Sequence, residues 1–135
     1  MKQLPLGTQT FAKIVENDML YVDKTKYIYD LTHKYGYVFL SRPRRFGKSL
    51  LCDTFKMYFE GRKEMFQGLT ITELEKDWKK YPVIHLDLSI REENIAKLES
   101  SLNSRLERVG KKWGLSWDDK ATYENKLADL IDTAY

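Results

Sequence analysis

Tyr37-Val38-Phe39-Leu40-Ser41-Arg42-Pro43-Arg44-Arg45-Phe46-Gly47-Lys48-Ser49-Leu50-Leu51 changes character twice in a short span. Residues 37–41 are an almost unbroken β-forming run, the composition expected of a strand buried on both faces of a parallel sheet. Pro43 lacks an amide proton and Gly47 permits unusual backbone angles, so residues 42–47 read as a loop. From Lys48 the period turns helical. Leu50, Leu51, Thr54, Phe55, Tyr58 and Phe59 recur on one broad face until Gly61 offers a stop.

Strand, loop and helix in that order, with Gly47-Lys48-Ser49 at the last junction, are the parts of a phosphate-binding loop. In such a loop backbone amides wrap the phosphates and the helix N-terminus adds favourable partial charge. A lysine neutralises the terminal phosphates and a hydroxyl coordinates magnesium. Lys48 and Ser49 are the right residue types in the right order, and Ser49 is the candidate magnesium ligand. The usual pattern opens on a glycine, where this chain has Arg42. Arg42, Arg44 and Arg45 are suited to a phosphate chain, an adjacent subunit or a nucleic-acid backbone; a solvated loop is the plain alternative. Phe46 is read as packing rather than base stacking.

Outward from the loop, the chain alternates strand-like and helical patterns. Phe11-Ala12-Lys13-Ile14-Val15 predicts a short helical turn, and residues 19–23 a strand-like run. Thr25 is placed to cap a helix ending near Gly36. Residues 81–89 form a second strong β run, with Pro82 tolerable at its entrance. A long amphipathic helix is expected from Glu92 to Val109, with Ile95, Leu98, Leu102, Leu106 and Val109 as its stripe and Gly110 as its break. Another is expected from near Trp117 onward, through Tyr123, Leu127, Leu130 and Ile131. The expectation is an α/β fold, a P-loop NTPase-type parallel sheet flanked by helices. It would be incomplete, because two strong strands make a small sheet.

Composition bounds the function classes. The chain has 135 residues, 42% hydrophobic, 32% charged and a formal net charge of +3, which suits one soluble domain or part of one and identifies no partner by charge alone. No apolar run is long enough to span a bilayer, and no secretory leader is evident. The one cysteine, Cys52, makes no intrachain disulfide and is expected as a small buried hydrophobe, in keeping with a reducing cytoplasm.

These blocks resemble the AAA-ATPase-like domain of predicted bacterial ATPases. The resemblance rests on Leu4-Pro5-Leu6-Gly7 with Phe11 downstream, Tyr21-Val22-Asp23-Lys24-Thr25, the stretch from Phe39 to Ser49, and Tyr81-Pro82-Val83-Ile84-His85-Leu86-Asp87-Leu88-Ser89. From Glu92 onward only helical character matches. The arginine-rich loop is that family's variant of the P-loop, so Arg42 in place of glycine fits it. The resemblance implies ATP and Mg2+ as ligands, held by Arg42, Arg44, Arg45, Phe46, Gly47, Lys48, Ser49 and Leu50. It also implies longer full-length members, often with a C-terminal domain similar to PD-(D/E)XK nucleases. Residues 1–135 then read as the N-terminal portion of one P-loop domain, lacking groups needed for hydrolysis.

Two acids have alternative readings. Asp87 ends an apolar run and is a candidate to hold magnesium through water, or to cap the following helix. Leu88 stands where a second carboxylate is usual, and the family's paired acids are expected beyond the present C-terminus. Asp23 is a candidate for the adenine side of the pocket, or a strand end beside a Thr25 cap. His33 and His85 have no metal-ligand spacing. Two other function classes compete with nucleotide binding: a nucleic-acid or nuclease-associated module using the arginines, and a scaffold that forms homo-oligomers through an exposed sheet edge.

Overall fold

Six α-helices and one 3-10 turn supply all the regular structure that a computed structural model of the chain shows over its described residues, 1–88 and 94–135. The expected parallel sheet is therefore corrected: among the described residues there is no strand, and no sheet edge through which copies could pair. Neither residues 19–23, nor 37–41, nor 81–88 form a ladder; Ser89, the last of that run, lies outside the described residues. The physical reason is that a helix closes its own hydrogen bonds, whereas a strand takes them from a neighbour. β-forming composition measures fitness for a half-buried pleated surface and cannot by itself supply the partner. Residues 37–41 run exposed, with Tyr37 98% and Phe39 91% accessible.

The first unit, Met1–Tyr81, is built on three helices: α1 (Phe11–Glu16), α2 (Thr25–Lys34) and α3 (Lys48–Phe59). A 3-10 turn (Lys63–Phe66) and the single-turn α4 (Ile71–Leu74) follow. Phe11, Ile28, Met57, Tyr58, Phe66 and Ile71 form its core. Phe66 lies at its centre, fully buried, with ring centroids 5.0 Å from Phe11 and 5.2 Å from Trp78. Cys52 was expected in this core and is instead exposed. At helical spacing it falls away from the side of α3 that buries Thr54, Met57 and Tyr58.

Two carboxylates lock the loops of this unit. Asp23 accepts from the Thr25 amide (2.8 Å) and hydroxyl (2.7 Å) and from the Thr70 amide and hydroxyl (both 2.7 Å), tying the start of α2 to the start of α4. The Thr25 hydroxyl in turn accepts from the Ile71 amide at 3.1 Å. Glu75 is buried and accepts from the Tyr58 hydroxyl at 2.5 Å and from the Asp77 amide at 3.0 Å. His33 Nε2 lies 3.7 Å from Glu75 Oε2, the same oxygen that accepts from Tyr58.

Partial burial pushes both carboxyls up. The hydrogen bonds from Thr70 and Thr25 to Asp23, and from Tyr58 and Asp77 to Glu75 with the nearby His33, outweigh it, so both pKa values are lowered. The Tyr58 hydroxyl, partly desolvated and donating to Glu75, is pushed up to about 12. A lowered folded-state pKa contributes stability that is full above the unfolded value, about 4, and is lost as pH falls through the folded value. Urea stability of the chain is thus expected to drop below about pH 4, and an Asp23→Asn/Glu75→Gln variant to lose most of that acid slope. An unchanged slope in the variant would assign acid sensitivity to other groups.

The second unit, Pro82–Tyr135, is a helical hairpin of α5 (Ile95–Lys112) and α6 (Tyr123–Ala134). Asn94 caps α5 by accepting from the Lys97 amide at 2.9 Å, so the helix starts after the expected Glu92, which with Glu93 lies outside the described residues. Gly110 does not break α5. It is buried within the helix, because a Cβ there would fall inside the Trp117 ring. Thr122 caps α6, which begins after the expected Trp117; that indole instead donates to Asp129 Oδ2 at 2.6 Å. The Lys126 side chain is 3% exposed and its ammonium pairs with Glu107 at 2.7 Å. Among the described residues no helix is long and apolar enough to cross a membrane.

Candidate functional site

Residues 42–47 connect the exposed 37–41 run to the first turn of α3, and the backbone makes that turn with two left-handed residues. Gly47, immediately before α3, has φ +73° and ψ +16°. A Cβ at Gly47 would meet nothing within 4 Å, so the glycine is needed for its backbone angle rather than for close packing. Arg45 has φ +68°, a conformation that costs a side-chain-bearing residue about 1 kcal/mol or more. Two left-handed residues so close together, at Arg45 and Gly47, bend the backbone sharply into the start of α3.

Arg45→Gly is expected to raise stability by about 0.5–1 kcal/mol, the relief of strain less the added freedom of glycine in the unfolded chain. A urea midpoint that falls in this variant would mean that the Arg45 side chain holds the loop.

Lys48 spans the loop. Its Nζ donates to the Arg42 carbonyl at 2.5 Å, so the first residue of α3 closes on the first residue of the loop. The ammonium therefore rests on a backbone oxygen rather than a carboxylate, a partner that a phosphate oxygen can replace. Ser49 is exposed in the first turn of α3. Leu50 is half-buried and packs on the core, which makes it a support for the loop. Phe46, expected to pack, is 60% exposed. Arg42, Arg44 and Arg45 are all exposed, and among the described residues no carboxylate pairs with any of them.

The remaining candidates stand apart from these contacts. All four hydrogen bonds to Asp23 come from Thr25 and Thr70, which gives it the structural role of joining α2 to α4. Asp87 belongs to the second unit, where its carboxylate lies 3.5 Å from Arg105 and its carbonyl accepts from the same guanidinium. Asn94 takes the capping role that had been a possibility for Asp87. Among the described residues no three His, Cys, Asp or Glu side chains cluster to hold a metal.

Asp53 was not anticipated. Its Oδ2 accepts from the Phe11 amide at 2.7 Å, fastening the helix that follows the loop to the first turn of α1. A contact between residues so far apart in sequence leaves no periodic signal, and an aspartate within a helix reads as solvated. Thr54 adds a local brace, its hydroxyl donating to the Leu50 carbonyl at 2.8 Å.

Comparison with known proteins agrees with the motif. The family model AAA-ATPase_like, described as "Predicted AAA-ATPase", matches residues 5–135. An "Uncharacterized protein in vnfD 5'region" from Azotobacter chroococcum mcd 1 is 47% identical over 87 residues, 63% of this chain. The aligned stretch is 17% of that relative, so the chain spans a minor part of the curated protein's length. No solved structure matches.

Proposed function

Because the chain belongs to the predicted AAA-ATPase family, matched over residues 5–135, we propose that residues 42–49 bind the phosphates of ATP with Mg2+. The observation that carries this reading is the closure of the loop by Lys48 on the Arg42 carbonyl, over a turn made left-handed at Arg45 and Gly47. Lys48 exchanges the carbonyl for a phosphate oxygen, and the amides around Gly47 donate to the oxygens of the phosphate chain. Arg42, Arg44 and Arg45 add charge-assisted hydrogen bonds, for which no carboxylate among the described residues competes.

Ser49 and Lys48 fit a magnesium-bound phosphate: the hydroxyl is an exposed oxygen donor one residue beyond the ammonium. Bound magnesium would supply neutralisation of phosphate charge. Asp23 serves the site by holding α2 and α4, and Leu50 by seating α3 on the core. Hydrolysis of ATP is proposed for the whole protein.

The test is displacement: a fluorescent ATP analogue added with magnesium should bind saturably and be released by unlabelled ATP. Signal that excess ATP does not reduce would exclude a nucleotide site. The guanidiniums, exposed and without a carboxylate partner among the described residues, stand beside exposed Phe46 and also favour a second reading, contact with a nucleic-acid backbone. Oligonucleotide binding that weakens steeply with salt and outcompetes ATP would support it.

A further inference from the structure

The charge around the loop exceeds what a magnesium-complexed triphosphate balances. From Leu31 to Cys52 the chain contains no Asp or Glu, while Arg42, Arg44, Arg45 and Lys48 stand within the loop and its first helical residue. Elsewhere among the described residues, Arg62 lies near Glu60 and Glu64 and Arg105 near Asp87, while Arg108 stands singly on α5 with no ion pair. The nearest carboxylates along the chain are both engaged. Asp30 pairs with Lys34 at 3.0 Å, and Asp53 accepts from the Phe11 amide at 2.7 Å. The three arginines are thus exposed and Lys48 half-buried, and among the described residues the four side chains make one hydrogen bond, from Lys48 to a carbonyl.

A fully ionised nucleoside triphosphate carries about four negative charges and its magnesium complex about two, and free tripolyphosphate carries about five. We propose that the loop takes the metal-free oligophosphate chain as well as its magnesium complex, with Arg44 and Arg45 doing the neutralising that the metal would otherwise do. This rests on the loop being a phosphate site, as above, and concerns which ionic form it accepts. Losing the metal raises the attraction to the arginines and forfeits the contact with Ser49, two changes of opposite sign. The ligand chemistry is a linear chain of phosphates, whether attached to a nucleoside or free.

The test is calorimetric titration of ATP, and separately of inorganic tripolyphosphate, into the 135-residue chain with excess magnesium or with EDTA. The expected result is affinities within about threefold of each other in the two buffers for ATP. An Arg44→Ala/Arg45→Ala variant should bind at least about tenfold more weakly in EDTA, with a smaller loss in magnesium. Tripolyphosphate that binds like ATP assigns recognition to the chain of phosphates; ATP alone binding in EDTA assigns it to the nucleoside and overturns the inference. Binding that requires magnesium overturns it too, while leaving the nucleotide site standing. Absence of binding in both buffers would remove the nucleotide site and the inference together.

Discussion

Phe66→Ala is expected to cost the Met1–Tyr81 unit about 3–5 kcal/mol, the largest stability loss of any single substitution considered. Phe66 has no exposed surface and bridges Phe11 of α1 to Trp78 at the far end of the unit. Truncation removes the ring's transfer free energy and leaves a cavity between two aromatic rings anchored on different segments, which limits collapse. Domains are typically stable by about 5–15 kcal/mol, and a small unit sits low in that range, so partial unfolding at ambient temperature is expected. Trp78 fluorescence during urea denaturation, in a Trp113→Phe/Trp117→Phe background, reads this unit alone. A loss under about 1 kcal/mol would show that the core closes around the gap.

Lys48→Ala is expected to weaken ATP·Mg binding by about 2–3 kcal/mol, roughly a hundredfold, through loss of a charge-assisted contact and of loop closure. The fold should survive. Lys48 opens α3 and its one hydrogen bond goes to the loop itself, whereas the helix is held by Thr54, Met57 and Tyr58 in the core and by Asp53 on the Phe11 amide. Displacement of a fluorescent ATP analogue measures the effect, with far-ultraviolet circular dichroism as the control for folding. Wild-type affinity in the variant would place the phosphates elsewhere.

Helices were legible in the sequence because their signals are local. The apolar spacing around Phe11 and Ile14, the run from Thr25 and the face from Leu50 to Phe59 appear as α1, α2 and α3. The hairpin of α5 and α6 was legible in its stripes and less so at its ends. Asn94 and Thr122 set those starts, and a glycine stands inside the helix at 110 because the Trp117 ring, seven residues later, occupies the place of a Cβ, a contact that periodicity cannot anticipate.

The strands illustrate the opposite case. Valine, tyrosine and phenylalanine at 37–39 favour a pleated surface, yet no ladder forms among the described residues, since pairing depends on a second segment in register. The loop was legible in kind, from residue types and their order. Its left-handed Arg45, the bond from Lys48 to the Arg42 carbonyl, and the Asp53 and Asp23 tethers depend on backbone path and remote contacts, which residue order alone does not reveal.

The most direct test of the phosphate site is to follow the backbone amide resonances of the nitrogen-15-labelled chain while ATP and magnesium are added. The amides of Arg44, Arg45, Phe46, Gly47, Lys48 and Ser49 should shift together along one saturable curve, and stay still when Lys48 is replaced by alanine. Loop amides that do not move in the folded wild-type chain, or shifts that saturate elsewhere while the loop is silent, would contradict the assignment.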